Sequence, residues 1–333
     1  MQVARLYAAH DLRLAEEPIP QPGPGEVLLR VSAVGLCGSD IHWWTGGGIG
    51  DARLERPLVL GHEFAGVVES GTLRGRRVAV DPAIPCGVCE LCREDQPNLC
   101  AAMRFAGHGR EDGALRQYIV WPTHCLFPLP DALSDEDGAV LEPLGVAIYA
   151  VELGQLRPGM TVGVYGCGPI GLLVLQVARA AGAAGLFATD RLAHRLEAAR
   201  QWGAQALPAD GQESAAIWAA TGGRGVDVAF EVAGENEAVE TAVATVRPGG
   251  RVVLVGIPED DRTSFTASAA RRKGLTLQMV RRMKHTYPRA IHLVESGQVE
   301  LRSLVTHRFP LDAAAQALSC AQQRQGIKVV VRP

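Results

Sequence analysis

Thr161-Val-Gly-Val-Tyr-Gly-Cys-Gly-Pro-Ile-Gly171 is the stretch of sequence that decides the fold. An apolar strand runs into three glycines spaced as G-x-G-x-x-G, and an apolar helix follows them. Such glycines let the backbone approach a pyrophosphate, while the helix N-terminus supplies unpaired N–H groups and a positive dipole end. The stretch therefore predicts the first strand and helix of a dinucleotide-binding sheet. The residues expected to contact that cofactor are Gly166, Gly168, Pro169, Ile170 and Gly171.

An acidic residue follows at the end of the next predicted strand. Asp190 stands nineteen residues after Gly171. A carboxylate at this place accepts hydrogen bonds from both ribose hydroxyls of NAD and repels the 2′-phosphate of NADP, so NAD is the expected cofactor. Arg191 and Arg195 are also expected at the cofactor, and they leave NADP open, because an arginine beside the ribose can pair with a phosphate.

The pattern of predicted strands, helices and turns differs on either side of this stretch. From roughly Tyr149 to Met279, apolar strands alternate with alanine-rich helices, which predicts a parallel sheet with helices on both faces. From Met1 to about Ala147, short strands and glycine or proline turns predict a small, partly closed β-barrel. The fold class is therefore α/β. The expected domains are a β-barrel domain over 1–148, a dinucleotide-binding domain over 149–283 and a segment returning to the first domain over 284–333.

Four of the eight cysteines are close together, as Cys86-x₂-Cys89-x₂-Cys92-x₇-Cys100. Thiolates at this spacing on a turn-rich segment can converge on one tetrahedral ion, and Zn²⁺ is the ion that prefers four sulfurs. Disulfides are the alternative, but nothing else in the sequence suggests an oxidising compartment. Because four thiolates leave no coordination position open, we expect a structural zinc that takes no part in chemistry.

A second set of candidate metal ligands lies in the first domain. Cys37 is in a glycine-flanked turn, and His62 and Glu63 follow twenty-five residues later. A cysteine, a histidine and an acid, with one position open for water or substrate, are what a catalytic zinc needs. Alternatively, Cys37 is a small buried side chain and the other two are ordinary turn residues. Glu142 is an acid in an apolar stretch, where a metal or its water is a natural partner.

Composition excludes several classes of function. The chain has 333 residues, 47% of them apolar and 21% charged, and its formal net charge is −3. No basic excess indicates nucleic acid as a partner, and no apolar run is long enough for a signal peptide or a membrane span. The cysteines outside the cluster, Cys37, Cys125, Cys167 and Cys320, fit a reducing compartment. We therefore expect a cytoplasmic protein that acts on small molecules.

Over nearly its whole length, the chain resembles the zinc-containing medium-chain dehydrogenases, and among them the polyol branch of sorbitol and xylitol dehydrogenases. Besides the glycine motif and the four cysteines, the matching segments are Cys37-Gly-Ser-Asp-Ile-His-Trp-Trp44, Gly48-Ile-Gly50, Pro57-Leu-Val-Leu-Gly-His-Glu63, Glu142-Pro-Leu144 and Leu304-Val-Thr-His-Arg-Phe-Pro-Leu311. The resemblance implies a GroES-like β-barrel catalytic domain, a Rossmann-fold domain with a doubly wound sheet, and a homo-oligomer, either a tetramer or a dimer.

The resemblance also implies roles for site residues. It makes Cys37, His62 and Glu63 the ligands of a catalytic zinc, and it places Glu142 on that zinc or on its water. Zinc would favour loss of the hydroxyl proton from an alcohol, and a hydride would pass to the nicotinamide. Ser39, a ribose hydroxyl of the cofactor and His42 would carry the proton to solvent, although His42 alone could be a turn residue without a role. Further cofactor contacts are expected at Val255, Gly256 and Ile257.

Two departures from the polyol branch bear on the substrate. Trp43 stands where those relatives usually carry tyrosine, and Arg281-Arg282 stands where they carry an Arg-Tyr pair. These residues and Glu142 are expected to contact the substrate. A second cation favours a carboxylate, so a sugar acid such as idonate competes with a neutral polyol. Threonine 3-dehydrogenase and simple alcohol dehydrogenases are further alternatives on the same fold. The neutral polyol is the prediction, because the other matched positions belong to that branch.

Overall fold

A computed structural model describes all 333 residues of the chain. The strands are β1 (Gln2–Ala8), β2 (Asp11–Glu16), β3 (Glu26–Gly35), β4 (Gly48–Ile49), β5 (Ala52–Arg53), β6 (Leu58–Val59), β7 (Glu63–Val68), β8 (Arg77–Val80), β9 (Ala83–Ile84), β10 (Arg104–Phe105), β11 (Tyr118–Pro122), β12 (Leu126–Pro128), β13 (Thr161–Tyr165), β14 (Gly185–Asp190), β15 (Gln205–Pro208), β16 (Val226–Glu231), β17 (Val246–Leu254), β18 (Thr276–Met279), β19 (Val305–Pro310) and β20 (Lys328–Arg332). The helices are α1 (Gly38–Gly46), α2 (Glu90–Arg93), α3 (Asp135–Leu153), α4 (Pro169–Ala180), α5 (Ala193–Gln201), α6 (Glu213–Ala220), α7 (Asn236–Thr245), α8 (Ala267–Lys273), α9 (Tyr287–Glu295) and α10 (Ala314–Gln322).

The chain forms two compact units. Unit 1 contains Met1–Glu142, Tyr287–Ser296 and Glu300–Pro333, and unit 2 contains Pro143–Thr286 and Gly297–Val299. The first boundary falls six residues before the one expected from the sequence, inside helix α3. A continuous helix offers no turn residues or change of composition at that point, so the pattern of the sequence has no signal for it.

Unit 1 is built on antiparallel strands. Its largest sheet has seven strands in the order β12-β8-β7-β3-β20-β19, with β11 also paired to β3. Strand β3 buries alternate residues, Val27, Leu29 and Val31, as expected for a strand with one face on the core. The last strand of the chain, β20, pairs with the end of β3. Residues from both ends of the sequence therefore meet at the carboxyl end of β3.

Unit 2 is a six-stranded parallel sheet in the order β15-β14-β13-β16-β17-β18. From β13 the connections wind in opposite directions, to β14 on one side and to β16 on the other, which makes the sheet doubly wound. Every residue of Val226–Glu231 in β16 is buried, as is usual for a strand covered on both faces. The predicted α/β class and the doubly wound sheet are confirmed.

Helix α4 begins directly after the glycine-rich turn. Pro169 stands at its start, where the missing N–H costs nothing, and Gly168 caps it. All residues from Gly171 to Ala178 are buried, so the helix packs closely on the sheet. None of the helices combines the length with the apolar character that a membrane span requires.

Candidate functional site

Strand pairing brings the candidate catalytic ligands together in unit 1. Gly35, at the end of β3, pairs with Glu63 at the start of β7, and Cys37 and His62 lie next to these positions along the chain. One ligand atom from each of Cys37, His62 and Glu63 lies within 4.8 Å of the others. His62 and Glu63 are buried and Cys37 is half-buried. A thiol, an imidazole and a carboxylate this close match the donor set of a catalytic zinc.

Asp40 fixes two of these ligand segments, and the sequence reading did not assign it a role. Its carboxylate accepts hydrogen bonds from the backbone N–H of Cys37 at 2.9 Å and of Gly61 at 3.1 Å. It also lies 3.7 Å from Nδ1 of His62, which leaves Nε2 of that ring for a metal. Burial would raise the pKa of Asp40, but attraction to His62 and these hydrogen bonds outweigh burial and lower the pKa.

Lys328 is a second residue that the sequence reading missed. Its ammonium nitrogen lies 2.8 and 2.6 Å from the two carboxylate oxygens of Glu63, and it donates to the carbonyl oxygen of Leu36 at 3.0 Å. The side chains of Lys328 and Glu63 are only 2% and 1% exposed. The two residues are 265 positions apart in sequence, so no local pattern links them. The available signal was a lysine directly before the apolar run of β20.

Glu142 belongs to the same buried neighbourhood. It lies in helix α3 and is 5% exposed. Burial raises the pKa of Glu142 to about 7, with the positive charges of His62 and Lys328 opposing this rise and Glu63 adding to it. A buried carboxyl group near these ligands is a candidate partner for a metal or its water.

Helix α1 carries the remaining site residues predicted in unit 1. Ser39 and His42 are partly exposed, and their side chains form no hydrogen bonds within the protein. Trp43 is 1% exposed and lies in the core, with its ring edge-on to His108 at 5.6 Å between centroids. The proton path through Ser39 and His42 and the substrate contact of Trp43 stay predictions.

The four clustered cysteines converge as expected for a structural metal. One sulfur from each of Cys86, Cys89, Cys92 and Cys100 lies within 4.8 Å of the others, and no disulfide joins any pair. The backbone N–H of Cys86 points to the sulfur of Cys100, and that of Cys89 to the sulfur of Cys86, each at 3.4 Å. Backbone hydrogen bonds lower the pKa of Cys86 to about 6, whereas burial and the neighbouring cysteines raise the pKa of Cys92 to about 12. The donor set therefore fits zinc.

The glycine-rich turn and Asp190 are tied together in unit 2. A Cβ atom at Gly171 would lie only 1.9 Å from the carbonyl oxygen of Gly166, so only glycine allows this turn to pack. The two carboxylate oxygens of Asp190 accept the backbone N–H of Cys167 and of Leu192, each at 2.8 Å. The carboxylate that is expected to bind a ribose is thus held at the turn expected to bind a pyrophosphate.

The other predicted cofactor residues lie at two places in unit 2. Arg191 is exposed, whereas Arg195 approaches the turn, since a Cβ at Gly168 would lie 3.6 Å from its guanidinium. At the end of β17, the backbone N–H groups of Val255 and Gly256 donate to the carbonyl oxygen of Glu231. Ile257 is 50% exposed and is available for a ligand.

Arg281 and Arg282 follow strand β18 in unit 2. Arg281 is exposed, and Arg282 is half-buried. Arg282 has a φ of 57°, a left-handed conformation that residues other than glycine adopt rarely. The backbone at this position is therefore constrained by its surroundings, and the substrate contacts of both arginines stay predictions.

Comparison with known sequences places this geometry among related proteins. Residues 23–131 match the alcohol dehydrogenase GroES-like domain, and residues 169–296 match the zinc-binding dehydrogenase family. The chain is 36% identical to sorbitol dehydrogenase of Bacillus subtilis (strain 168) over 343 residues, which covers 100% of this chain and 97% of that protein. It is 37% identical to sorbitol dehydrogenase of Homo sapiens over 337 residues, covering 98% and 94% of the two chains.

Solved structures of other proteins superpose on this chain over its full length. The L-idonate 5-dehydrogenase of Escherichia coli K-12 superposes with a TM-score of 0.92 at 27% identity, covering 100% of this chain and 98% of that one. An alcohol dehydrogenase of Escherichia coli CFT073, solved with NADH, also gives a TM-score of 0.92, at 29% identity and with 100% and 99% coverage.

Proposed function

The chain belongs to the zinc-containing medium-chain alcohol dehydrogenases, in their polyol branch, and we propose that it oxidises a secondary alcohol of a polyol to a ketone with NAD as hydride acceptor. The observation that carries this proposal is the convergence of Cys37, His62 and Glu63 in a chain similar over its whole length to sorbitol dehydrogenases. Oxidation removes a hydride from the alcohol carbon and a proton from its hydroxyl, so the site must accept both.

Cys37, His62 and Glu63 would hold the catalytic zinc, which when bound acts as a Lewis acid that makes an alcohol hydroxyl easier to deprotonate. Asp40 orients His62 and the backbone of Cys37, and Glu142 provides a further buried carboxyl group. Ser39 and His42 lie on the first turns of α1, directly after Cys37, and would pass the released proton toward solvent.

The second zinc is proposed at Cys86, Cys89, Cys92 and Cys100. With four sulfur ligands it has no open position, so its role is to hold the lobe around α2 in place. The lobe has little apolar core of its own, since α2 buries none of its residues. Two zinc ions per chain are therefore expected.

NAD is proposed as the cofactor because of Asp190. Its carboxylate is fixed by the backbone N–H groups of Cys167 and Leu192, so it cannot easily turn away from a 2′-phosphate. The repulsion of a phosphate disfavours NADP. Arg195, beside the glycine-rich turn, is the feature that would favour NADP if it moved next to the ribose.

A sugar acid is the second candidate substrate. Arg281 and Arg282 offer two cations in sequence, and the fold is also that of an L-idonate 5-dehydrogenase. Rates of NADH formation should be compared for sorbitol, xylitol, L-idonate, L-threonine and a simple secondary alcohol. The proposal expects the highest kcat/KM for a neutral polyol. A higher value for idonate would assign the enzyme to the acid, and a higher value for threonine or the simple alcohol would contradict both candidates.

A further inference from the structure

A buried ion pair lies directly behind the proposed catalytic metal centre. Lys328 contacts both carboxylate oxygens of Glu63, and it also donates to the carbonyl oxygen of Leu36, which precedes Cys37. One ammonium group therefore contacts both chain segments that carry the proposed ligands.

Gly35 provides the space in which this ion pair forms. In the sheet, β3 lies between β7 and β20, and Gly35 pairs with Glu63 on one side and with Val330 on the other. A Cβ atom at Gly35 would lie 2.2 Å from one carboxylate oxygen of Glu63 and 3.2 Å from its Cβ. Any residue larger than glycine would therefore displace the carboxylate that Lys328 holds.

The pair is poorly explained as a contribution to stability. Two buried charges lose their hydration, and replacing such a pair by apolar residues is often neutral or stabilising. What the pair does provide is a fixed position for Glu63 relative to the backbone before Cys37. Partners of metal ligands outside the coordination sphere commonly serve this purpose, because they hold ligands in the geometry that the metal requires.

We propose that Lys328, in the space left by Gly35, is a positioning residue for the catalytic metal centre. It holds Glu63 and the Leu36–Cys37 segment in the arrangement that receives the metal. The inference rests on the proposed function only in taking Cys37, His62 and Glu63 as zinc ligands. A positive charge beside a metal cation also repels it. If positioning dominates, removal of the Lys328 side chain weakens metal binding. If charge repulsion dominates, removal strengthens metal binding.

The test measures zinc release from the zinc-loaded full chain to an excess of chelator, with two phases expected for two zinc ions. Lys328→Met should speed one phase by about tenfold or more, the scale of losing such a partner, and leave the other unchanged. Lys328→Arg keeps a cation that can bind both oxygens of Glu63, so it should release zinc nearly as slowly as the wild type. Gly35→Ala keeps every charge and displaces Glu63, so it should speed the same phase.

Val331→Ala is the matched control, because it removes buried apolar atoms from the same strand on the face opposite to Lys328, where Val331 belongs to the apolar core. It should lower the free energy of unfolding and leave both release phases unchanged. Cobalt(II) in place of zinc gives a second readout: Lys328→Met and Gly35→Ala should alter the d–d absorption bands, while the thiolate-to-cobalt band from Cys37 persists.

Slower or unchanged zinc release from Lys328→Met would overturn the inference, as would unchanged release from Gly35→Ala or a change in Val331→Ala equal to that in Lys328→Met. These readouts do not depend on turnover. A protein that shows the expected metal release but oxidises no polyol would contradict the proposed function and leave the positioning role intact. If the protein oxidises polyols but its metal release does not respond to changes at Lys328 and Gly35, the proposed function stands and the positioning role is contradicted.

Discussion

Single residues set the chemistry of this chain, and Asp190 is the clearest case. Its carboxylate accepts two backbone N–H groups at the glycine-rich turn, so its negative charge has a fixed position. That charge is expected to repel the additional phosphate of NADP. We therefore propose that cofactor preference depends chiefly on this side chain, and it can be measured separately from the chemical step.

Replacing Asp190 by alanine should narrow the preference for NAD over NADP by roughly tenfold, equivalent to about 1.4 kcal/mol. The loss of charge repulsion also allows Arg191 and Arg195 to pair with the phosphate. The measurement is kcat/KM with each cofactor at saturating polyol. Asp190→Asn separates loss of the charge from loss of hydrogen bonds, because it removes the charge and keeps a side chain that can form hydrogen bonds at this position. A wild-type enzyme that prefers NADP would contradict the assignment.

Arg282 is the residue that we expect to distinguish the two substrate classes. If it binds a carboxylate, Arg282→Tyr should raise KM for idonate by an amount equivalent to about 1.5–3 kcal/mol, the value of a hydrogen bond to a charged group. For sorbitol or xylitol the same change should be tolerated, because it restores the residue that the polyol relatives carry. We expect Arg282→Tyr to leave KM for sorbitol and xylitol nearly unchanged. An equal rise in KM for both kinds of substrate would show that Arg282 does not distinguish them.

Several site residues could be predicted from the sequence because their signals are local. The glycine motif, the cysteine spacing and the Gly-His-Glu triplet each lie within a few residues. Asp40 is only three positions from Cys37, yet its value lies in reaching Gly61 and His62 across the sheet, which no spacing reveals. Lys328 and Glu63 meet only because three strands pair in one particular order.

At the scale of elements, strand and helix ends are held by buried charged groups. Asp227 at the start of β16 accepts hydrogen bonds from Arg224 and Arg247 and from the backbone of Thr161, which begins β13. Burial would raise the pKa of Asp227, but the bonds from Arg224, Thr161 and Arg247 outweigh it and hold the pKa below its usual range. The carboxylate thus ties two neighbouring parallel strands at their amino ends.

Asp227→Asn should lower the free energy of unfolding by about 1–3 kcal/mol, the cost of leaving charged and polar partners unsatisfied. Because the folded pKa lies below the unfolded one, this stability is fully present above the unfolded pKa and is lost progressively as the pH falls from the unfolded value to the folded one. The difference between wild type and variant in urea unfolding should therefore stay constant from about pH 8 to pH 5. A difference that shrinks steadily over that range would contradict the account.

The limits of the two units are the part of the fold that the sequence marks least clearly. The alternation of strands and helices in unit 2 was readable because each parallel strand is a short apolar run followed by a helix. The limits of the units were not, since one boundary lies within α3 and another falls between Thr286 and Tyr287. Both of these adjoining residues are buried, so neither composition nor exposure marks the change.

At the scale of the whole molecule, the two proposed metals have different roles. The four-sulfur set closes a lobe, whereas the set at Cys37, His62 and Glu63 leaves a coordination position for substrate. Cys92→Ser should therefore lower the unfolding temperature measurably and reduce the zinc content by one ion per chain. Cys37→Ser should leave the unfolding temperature nearly unchanged and abolish NADH formation. If instead Cys37→Ser lowered the unfolding temperature and Cys92→Ser only abolished NADH formation, the structural and catalytic roles of the two sites would be exchanged.

The central claim is that this chain oxidises polyols with zinc at Cys37, His62 and Glu63. It is tested most directly by NADH formation from sorbitol or xylitol before chelation, after removal of one zinc ion per chain, and after zinc is added back. Activity should disappear when the zinc that Cys37→Ser lacks is removed, while the protein stays folded, and it should return when zinc is restored. Polyol oxidation that survives removal of this zinc, or fully zinc-loaded protein with no activity on any polyol, would contradict the claim.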